Sequence, residues 1–166
     1  TGDGRVDFIA QDDDGIFVLP SSGQSFDAFT QWTEQGVFCE EGCFMGDVNG
    51  DGSADFVAQD SDGIYVLSSN GNGFNSPAKW TEQGLFCQQG CFVADANGDG
   101  LADFIVQDED GIYVLASNGA GFEAHARWTE QAIFCEQGCF VADVNGDGAA
   151  DFLAQDNDGI YVLTAQ

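Results

Sequence analysis

The chain repeats itself every 48 residues, and this period constrains the fold more than any other feature of the sequence. Trp32, Trp80 and Trp128 stand 48 residues apart, and three C-x3-C pairs and four GDG tripeptides follow the same spacing. No insertion or deletion interrupts the period. A repeat of this length is typical of folds that stack one supersecondary unit many times.

Each complete repeat contains four segments that we predict to be β-strands. In the copy that begins at Cys43, these are Cys43–Val48, Ala54–Asp60, Gly63–Ser69 and a fourth strand within Pro77–Gly84. The sequence DSDG separates the second strand from the third, and NGNG separates the third from the fourth; both are typical of tight turns. The 23 glycines and the lack of helical spacing argue against helices.

Four short antiparallel strands in every ~40–50 residues form one blade of a β-propeller. The predicted fold class is therefore all-β, a β-propeller built from 48-residue four-stranded blades. A β-solenoid is the alternative, but its coils are usually shorter. With about 3.5 repeats in 166 residues, we expect one repeat domain, 1–166. Its units are 1–42 (partial), 43–90, 91–138 and 139–166 (partial).

The number of strands leaves a ring of blades incomplete. The chain begins just before a second strand and ends after a third strand, which gives 14 strands. Two chains hold 28 strands, as many as seven four-stranded blades, but their phases do not join. A dimer of eight blades, four of them three-stranded, and a four-bladed ring of one chain are the other solutions. Because exposed strand edges are normally paired or covered, we expect a homo-oligomer that closes the ring between chains.

The composition restricts the possible partners. The chain has 29 acidic and 3 basic residues, and its net charge of -26 excludes nucleic acid and anionic membranes as expected partners. With 43% hydrophobic residues the chain is expected to fold despite its charge. The excess negative charge then needs a partner, and divalent cations are the obvious candidate. No apolar run approaches the ~20 residues that span a membrane. Thr1 as first residue, the scarcity of lysine and the even number of cysteines indicate a processed, extracellular (secreted) chain.

An oxygen-rich loop precedes the second strand of the repeat. In DVNGDGSAD, Asp47, Asn49, Asp51 and Asp55 occupy loop positions 1, 3, 5 and 9, and Ser53 at position 7 offers its carbonyl. Such oxygens are the ligands that calcium prefers. Position 12 lacks the bidentate Glu of an EF-hand, and a hairpin follows instead of a helix. We therefore expect structural calcium sites of modest affinity, with Kd about 10⁻⁴ to 10⁻⁶ M.

The same spacing recurs in two further loops. The predicted ligands there are Asp95, Asn97, Asp99, the Leu101 carbonyl and Asp103, and then Asp143, Asn145, Asp147, the Ala149 carbonyl and Asp151. The first copy, TGDGRVD, retains only Asp3 and Asp7, so we expect it to be empty unless another chain supplies ligands. The alternative is that these side chains only cap turns, but three repeats of one spacing favour calcium.

The six cysteines form three pairs with four-residue spacing: Cys39 and Cys43, Cys87 and Cys91, Cys135 and Cys139. A glycine within each pair favours a tight turn that a disulfide could close. Zinc is the alternative, but it would need two pairs brought together from different blades. We predict disulfides that would fix the connection from the fourth strand of one blade to the first strand of the next.

The segment Phe92–Phe122, FVADANGDGLADFIVQDEDGIYVLASNGAGF, resembles the FG-GAP/VCBS repeat of integrin-type propellers. The pattern NGDGxADF…DGIYVLxSNGxGF is similar to the PVL-like propeller lectins, and it recurs over nearly the whole chain. The resemblance implies sugar sites in pockets between neighbouring blades, with N-acetylated sugars such as N-acetylglucosamine as the usual ligands. The cysteine pair is not part of that family pattern.

A sugar site needs an aromatic face and a few planar hydrogen-bonding groups, and the repeated WTEQ-type segment offers both. The candidate sugar-binding residues are Trp32, Glu34, Gln35, Trp80, Glu82, Gln83, Trp128, Glu130 and Gln131. Further polar candidates are Gln59, Gln107, Gln155, Asn70 and Asn118. The alternative is that each tryptophan packs between blades.

The sequence indicates a binding protein rather than an enzyme. His125 is the only histidine and is not repeated, so no nucleophile–base pair recurs. Repetition favours multivalent binding, in which several weak sites give high avidity. We therefore expect a calcium-stabilised multivalent lectin whose partners are glycans. A protein-interaction or adhesion propeller of integrin type is the alternative, and a designed or minimal propeller fragment is another.

Overall fold

A computed structural model describes residues 1–34, 39–81, 87, 89–129 and 135–165. All regular secondary structure in these residues is β-strand. The strands are β1 Phe8–Asp12, β2 Gly15–Leu19, β3 Thr30–Gln31, β4 Gly42–Gly46, β5 Asp55–Asp60, β6 Gly63–Leu67, β7 Ala78–Lys79, β8 Gly90–Ala94, β9 Asp103–Asp108, β10 Gly111–Leu115, β11 Ala126–Arg127, β12 Gly138–Ala142, β13 Asp151–Asp156 and β14 Gly159–Leu163.

The strands form four antiparallel sheets, which we call blades 1 to 4. Blade 1 holds β1 to β3, blade 2 holds β4 to β7, blade 3 holds β8 to β11 and blade 4 holds β12 to β14. Within each blade, strands that are consecutive in the chain are paired. The predicted all-β repeat architecture, with three-stranded blades at both ends, is therefore confirmed. The four blades do not close into a ring.

Every strand of blade 2 is shorter in the described residues than predicted; the second is Asp55–Asp60 rather than Ala54–Asp60, and the third is Gly63–Leu67 rather than Gly63–Ser69. The first strand of blade 2 is Gly42–Gly46 rather than Cys43–Val48, because the N–H of Val48 bonds a side chain instead of a neighbouring strand. The fourth strand, predicted within Pro77–Gly84, is limited to Ala78–Lys79 in the described residues.

The hairpin between β5 and β6 has the predicted tight turn. Pairing extends to Asp60 and Gly63, which leaves a two-residue connection. In β6 the side chains of Ile64 and Val66 are fully buried, while Tyr65 between them is half-buried. Ile64 and Val66 face blade 3, and Leu67, on the opposite side of the strand, is buried toward blade 1, so both faces of β6 are packed.

The apolar core lies between the blades rather than within one sheet. At the junction of blades 2 and 3, Val57, Ile64 and Val66 pack with Phe104 and Val106. The junctions of blades 1 with 2 and 3 with 4 repeat this arrangement. The first strands β4, β8 and β12 lie side by side. Burial of side chains therefore depends on having a neighbouring blade.

The three predicted disulfides are present, with Cα atoms 5.4–5.5 Å apart: Cys39–Cys43, Cys87–Cys91 and Cys135–Cys139. Each joins a first strand to the segment just before it, as predicted. The sulfur atoms also contact the preceding blade: Gln59 Oε1 lies 3.2 Å from Cys87 Sγ, and Gln107 Oε1 lies 2.9 Å from Cys139 Sγ. In the part of the chain that the structure describes, no helix has the length and apolarity needed to cross a membrane.

Candidate functional site

The loop between β4 and β5 is folded around its own side-chain oxygens. The Asp47 carboxylate accepts hydrogen bonds from the N–H groups of Gly50 (2.7 Å) and Gly52 (2.8 Å). The Asp51 carboxylate accepts one from the N–H of Ser53 (2.8 Å). Gly50 and Gly52 have φ angles of 79° and 86°, which side chains with a Cβ rarely adopt. The backbone path of this loop thus requires glycine at these two positions. The loops of blades 3 and 4 repeat the same glycine N–H bonds to their first aspartate.

Asp55, the last predicted ligand of this loop, is completely buried. Its Oδ1 accepts a hydrogen bond from the N–H of Ser69 (2.8 Å), and its Oδ2 accepts one from the N–H of Val48 (3.3 Å). The carboxylate at the start of β5 therefore joins the segments that follow β4 and β6. Burial raises the pKa of Asp55 to about 6; the Ser69 N–H opposes this rise, and the charge of Asp51 adds to it.

The same arrangement occurs in the next two blades, and we call Asp55, Asp103 and Asp151 the carboxylate clasps. Asp103 accepts hydrogen bonds from the N–H groups of Ser117 (2.8 Å) and Ala96 (3.0 Å). Burial raises the pKa of Asp103, as it does for Asp55. Asp151 is bonded in the same way. Sequence reasoning treated these residues only as metal ligands and missed their role in joining three strands.

The acidic loops of blades 2 to 4 have no basic side chain of the chain as a partner. All three basic residues, Arg5, Lys79 and Arg127, are described, and each pairs with a carboxylate outside these loops. The oxygen-only donor set fits a hard cation such as calcium. Among the described residues, however, no three acidic, histidine or cysteine side chains are grouped so as to hold a metal ion. The calcium ligands stay a prediction.

The first copy of the loop keeps the clasp but not the full donor set. Asp7 Oδ1 accepts a hydrogen bond from the N–H of Ser21 (2.8 Å), and its Oδ2 pairs with the Thr1 ammonium group (2.8 Å). Burial acts to raise the pKa of Asp7, but these partners leave it below its ordinary value. Asp3 bonds the N–H of Arg5 (2.9 Å).

The loops of consecutive blades are bonded to each other along one edge of the stack. The Asp47 carbonyl accepts a hydrogen bond from the N–H of Ala102 (2.8 Å), and the Asp95 carbonyl accepts one from the N–H of Ala150 (2.6 Å). A Cβ on Gly50 would lie 2.7 Å from the Leu101 side chain. The acidic loops therefore form one continuous row, with each loop held by the next blade.

The three repeated tryptophans differ in their surroundings. Trp32 lies edge-on to Phe74 of the next blade, with ring centroids 5.0 Å apart, and Trp80 lies in the same way against Phe122 (5.2 Å). Trp32 is 9% exposed, whereas Trp128 is 41% exposed. Trp32 and Trp80 thus pack between blades, and Trp128 presents an accessible aromatic face.

Of the other predicted sugar-binding residues, Glu34 is described and is exposed. The remaining five lie outside the described residues: Gln35, Glu82, Gln83, Glu130 and Gln131. Gln59 and Gln107 are buried beside disulfides, and Asn70 and Asn118 lie exposed in the turns after β6 and β10.

Two cavities lie between neighbouring blades, and each includes a repeated tryptophan. A cavity of about 470 Å³ between blades 3 and 4 is lined by Trp128, Val114, Phe152 and the threonines Thr129 and Thr164, among others. This volume lies in the range of small-molecule sites.

The second cavity, of about 520 Å³, lies between blades 1 and 2. Trp32 and Phe74 form its aromatic part, while Arg5 and Asp7 supply charged groups. The sequence pattern indicates Asp7 only as a remaining donor of the incomplete first loop and gives no role to Arg5. A smaller space of about 210 Å³ is lined by Gln107, Phe92 and the Cys135–Cys139 disulfide.

Comparison with known proteins supports the fold. A family model described as the FG-GAP-like repeat matches residues 47–106 and 95–154. A lectin from Agrocybe aegerita, described for its recognition of non-reducing terminal N-acetylglucosamine, is similar over 100% of this chain and 48% of its own, with a TM-score of 0.79 and 21% identity. TcdB2–TccC3 without its hypervariable C-terminal region is similar over 96% of this chain and 8% of its own, with a TM-score of 0.63 and 18% identity. No curated protein sequence matches the chain.

The present chain spans about half the length of the lectin, and at these identities the structural likeness concerns the fold alone. The two segments matched by the family model together cover most of the chain, including all strands of blade 3. The predicted resemblance to FG-GAP repeats and to propeller lectins is therefore confirmed for the fold. The chain belongs to the FG-GAP-like repeat family and has the corresponding propeller-like fold.

Proposed function

We propose that this chain is a carbohydrate-binding lectin module that takes N-acetylated sugars such as N-acetylglucosamine between its blades. The observation that carries the proposal is the cavity between blades 3 and 4, in which Trp128 presents an accessible ring beside the threonines Thr129 and Thr164. The likeness of the fold to an N-acetylglucosamine-recognising lectin supports this choice of sugar.

The chemistry of the cavity suits a sugar. The indole ring of Trp128 provides an apolar surface for the C–H groups of a pyranose, and Thr129 and Thr164 add hydroxyl groups to the lining. The Thr129 hydroxyl oxygen also accepts a hydrogen bond from the N–H of Ile112 (2.9 Å). The apolar wall formed by Ile112, Val114 and Phe152 suits the methyl group of an N-acetyl substituent. The cavity between blades 1 and 2 offers a second site with Arg5 and Asp7 as polar groups. Two sites per chain would make binding multivalent.

A glycan array followed by calorimetry with N-acetylglucosamine tests the proposal. We expect several glycans that share one terminal N-acetylated sugar to bind. Trp128→Ala should weaken binding at its cavity about tenfold, because it removes roughly 1.4 kcal/mol of ring contact. Tyr161→Ala is the matched control, since Tyr161 is an exposed aromatic residue of blade 4 that does not line the cavity. A blank array, or equal effects of the two variants, would contradict the proposal.

The proposal includes calcium at the three complete loops. In blade 2 the ligands would be Asp47, Asn49, Asp51, Asp55 and the Ser53 carbonyl, and the equivalent residues would serve in blades 3 and 4. A bound cation would supply the positive charge that these loops lack and would hold them in place. Its role is structural, at the end of the blade junctions where the loops are bonded to one another.

We place this lectin outside the cell, as a non-enzymatic protein whose chains associate. Three disulfides support an oxidising location. The repeated binding cavities support recognition rather than catalysis. The unpaired outer faces of blades 1 and 4 support association between chains.

A further inference from the structure

Blade 4 exposes apolar side chains whose equivalents in blade 3 are buried. Ile160 is 65% exposed, whereas Ile112, one repeat earlier, is 4% exposed. Val162 is 46% exposed, whereas Val114 is 3% exposed. Ile112 and Val114 are covered by blade 4 itself. We call the outer surface of blade 4 the tail face; its exposed apolar residues are Phe140, Val144, Ile160 and Val162.

Blade 1 exposes the opposite half of the same junction. Phe8 is 53% exposed, whereas its equivalent Phe104 is fully buried against blade 2. Val6 is exposed, whereas its equivalent Ala102 is buried at the same junction. We call the outer surface of blade 1 the head face; its exposed apolar residues are Val6, Phe8 and Phe26.

The interior junctions show how a tail face meets a head face. The ring of Phe44 in blade 2 lies edge-on to Phe104 in blade 3, with centroids 5.5 Å apart. Phe92 in blade 3 and Phe152 in blade 4 repeat this contact at 5.7 Å. Phe140 is the next member of the first series, Phe44 and Phe92, and the second series consists of Phe8, Phe56, Phe104 and Phe152. The matching partner of Phe140 within this sequence is Phe8, the first member of the second series.

The backbone groups of the two faces also match. At the interior junctions the carbonyls of Asp47 and Asp95 accept hydrogen bonds from the next blade. Counting one repeat further, the carbonyl of Asp143 on the tail face corresponds to these acceptors. The donors are the N–H groups of Ala102 and Ala150. The N–H of Val6 on the head face lies two repeats before that of Ala102 and corresponds to it. The two faces therefore match in this donor and acceptor as well as in the ring pair of Phe8 and Phe140.

The exposed area is large enough for a stable junction. The chain has an accessible surface of 9014 Å², whereas a compact monomer of 17.6 kDa exposes about 7,900 Å². Two copies that each bury this excess would remove roughly 2,200 Å² in total, or about 1,100 Å² at each of two junctions, which is just above the roughly 1,000 Å² that a specific interface needs.

We propose that two copies of this chain associate head to tail, with the tail face of each copy on the head face of the other. The association is heterologous, and it closes because the second junction repeats the first. In each junction Phe140 of one copy packs edge-on to Phe8 of the other, as Phe92 packs on Phe152 inside the chain. The inference specifies the chain association proposed above and does not depend on sugar or calcium. The formal charge of -26 on each copy opposes it, so association should strengthen with ionic strength.

Native mass spectrometry and sedimentation at physiological salt test the association. At about 10 µM, well above a micromolar Kd, we expect a species of twice 17.6 kDa. Phe8→Asp and Phe140→Lys should each reduce the mass to that of one chain. Ser61→Asp adds one charge at an exposed turn and should leave the two-chain species intact. Circular dichroism of each variant establishes that it is folded.

Mixing the two variants distinguishes this arrangement from a symmetric one. Phe8→Asp and Phe140→Lys together should form a one-to-one complex, because one junction is then unaltered and the other joins Asp to Lys. A single-chain mass for the unaltered protein would overturn the proposal and assign both faces to other proteins or to further blades. A two-chain species that survives Phe8→Asp would also overturn it, since a tail-to-tail dimer does not use Phe8. Sugar binding, measured on the single-chain variants, reports on the lectin proposal separately.

Discussion

Replacing the buried carboxylate of blade 3 should destabilise the whole stack, because Asp103 joins three strands. Asp103→Ala leaves the N–H groups of Ala96 and Ser117 buried without an acceptor. Each unsatisfied buried group costs about 1–3 kcal/mol. Burial raises the pKa of Asp103, so the unfavourable burial of a charge is removed at the same time. We therefore expect a net loss at the lower end of the range, roughly 2–4 kcal/mol.

The assay is thermal unfolding in the presence of a chelator, so that any bound cation is removed. For a chain of this size 1 kcal/mol corresponds to about 2–4 °C, and Asp103→Ala should lower Tm by roughly 5–15 °C. Asp99→Ala is the matched control from the same loop, since Asp99 is exposed and bonds only within the loop. It should lower Tm by a few degrees at most. Equal, small shifts for both variants would refute the idea that the clasp joins the strands.

Two further predictions concern the loops and the tryptophans. Calcium at about 100 times its Kd should stabilise the protein by about 2.7 kcal/mol per site. Asp99→Ala should lose the stabilisation that calcium gives at the loop of blade 3. An identical melting curve with calcium and with chelator would contradict the proposed sites. Trp32→Ala should lower the free energy of unfolding by about 3–5 kcal/mol, since Trp32 is buried against Phe74. Trp128→Ala should lower it by less than about half of that, because the Trp128 ring is partly exposed. Equal losses in denaturant unfolding would show that the two rings are packed alike.

Much of the fold could be predicted because its information is local. The two-residue hairpin between β5 and β6 follows from the Asp-Gly turn signal and the alternating residues on both sides of it. The disulfides follow from cysteines four residues apart, which are close in space in almost any turn. The 48-residue period then multiplies one correct blade into four.

The role of the carboxylate clasps could not be predicted in the same way. Asp55 has the spacing of a metal ligand, and its hydrogen bonds to Ser69 and Val48 join residues 14 and 7 positions away. These N–H groups lie beside the carboxylate only after three strands have been assembled. A spacing rule for ligands contains no information about which backbone donors the fold brings to the same point.

The amino-acid pattern alone establishes the strands, their order within a blade and the turns that connect them, because each depends on neighbours within about 50 residues. It assigns the same role to Trp32, Trp80 and Trp128, which stand in nearly identical segments. Their actual surroundings differ because Trp32 and Trp80 are each covered by a phenylalanine of the following blade, whereas Trp128 is 41% exposed. Exposure in a stack of blades depends on whether a neighbour is present, and that is a property of the assembled structure rather than of the repeat.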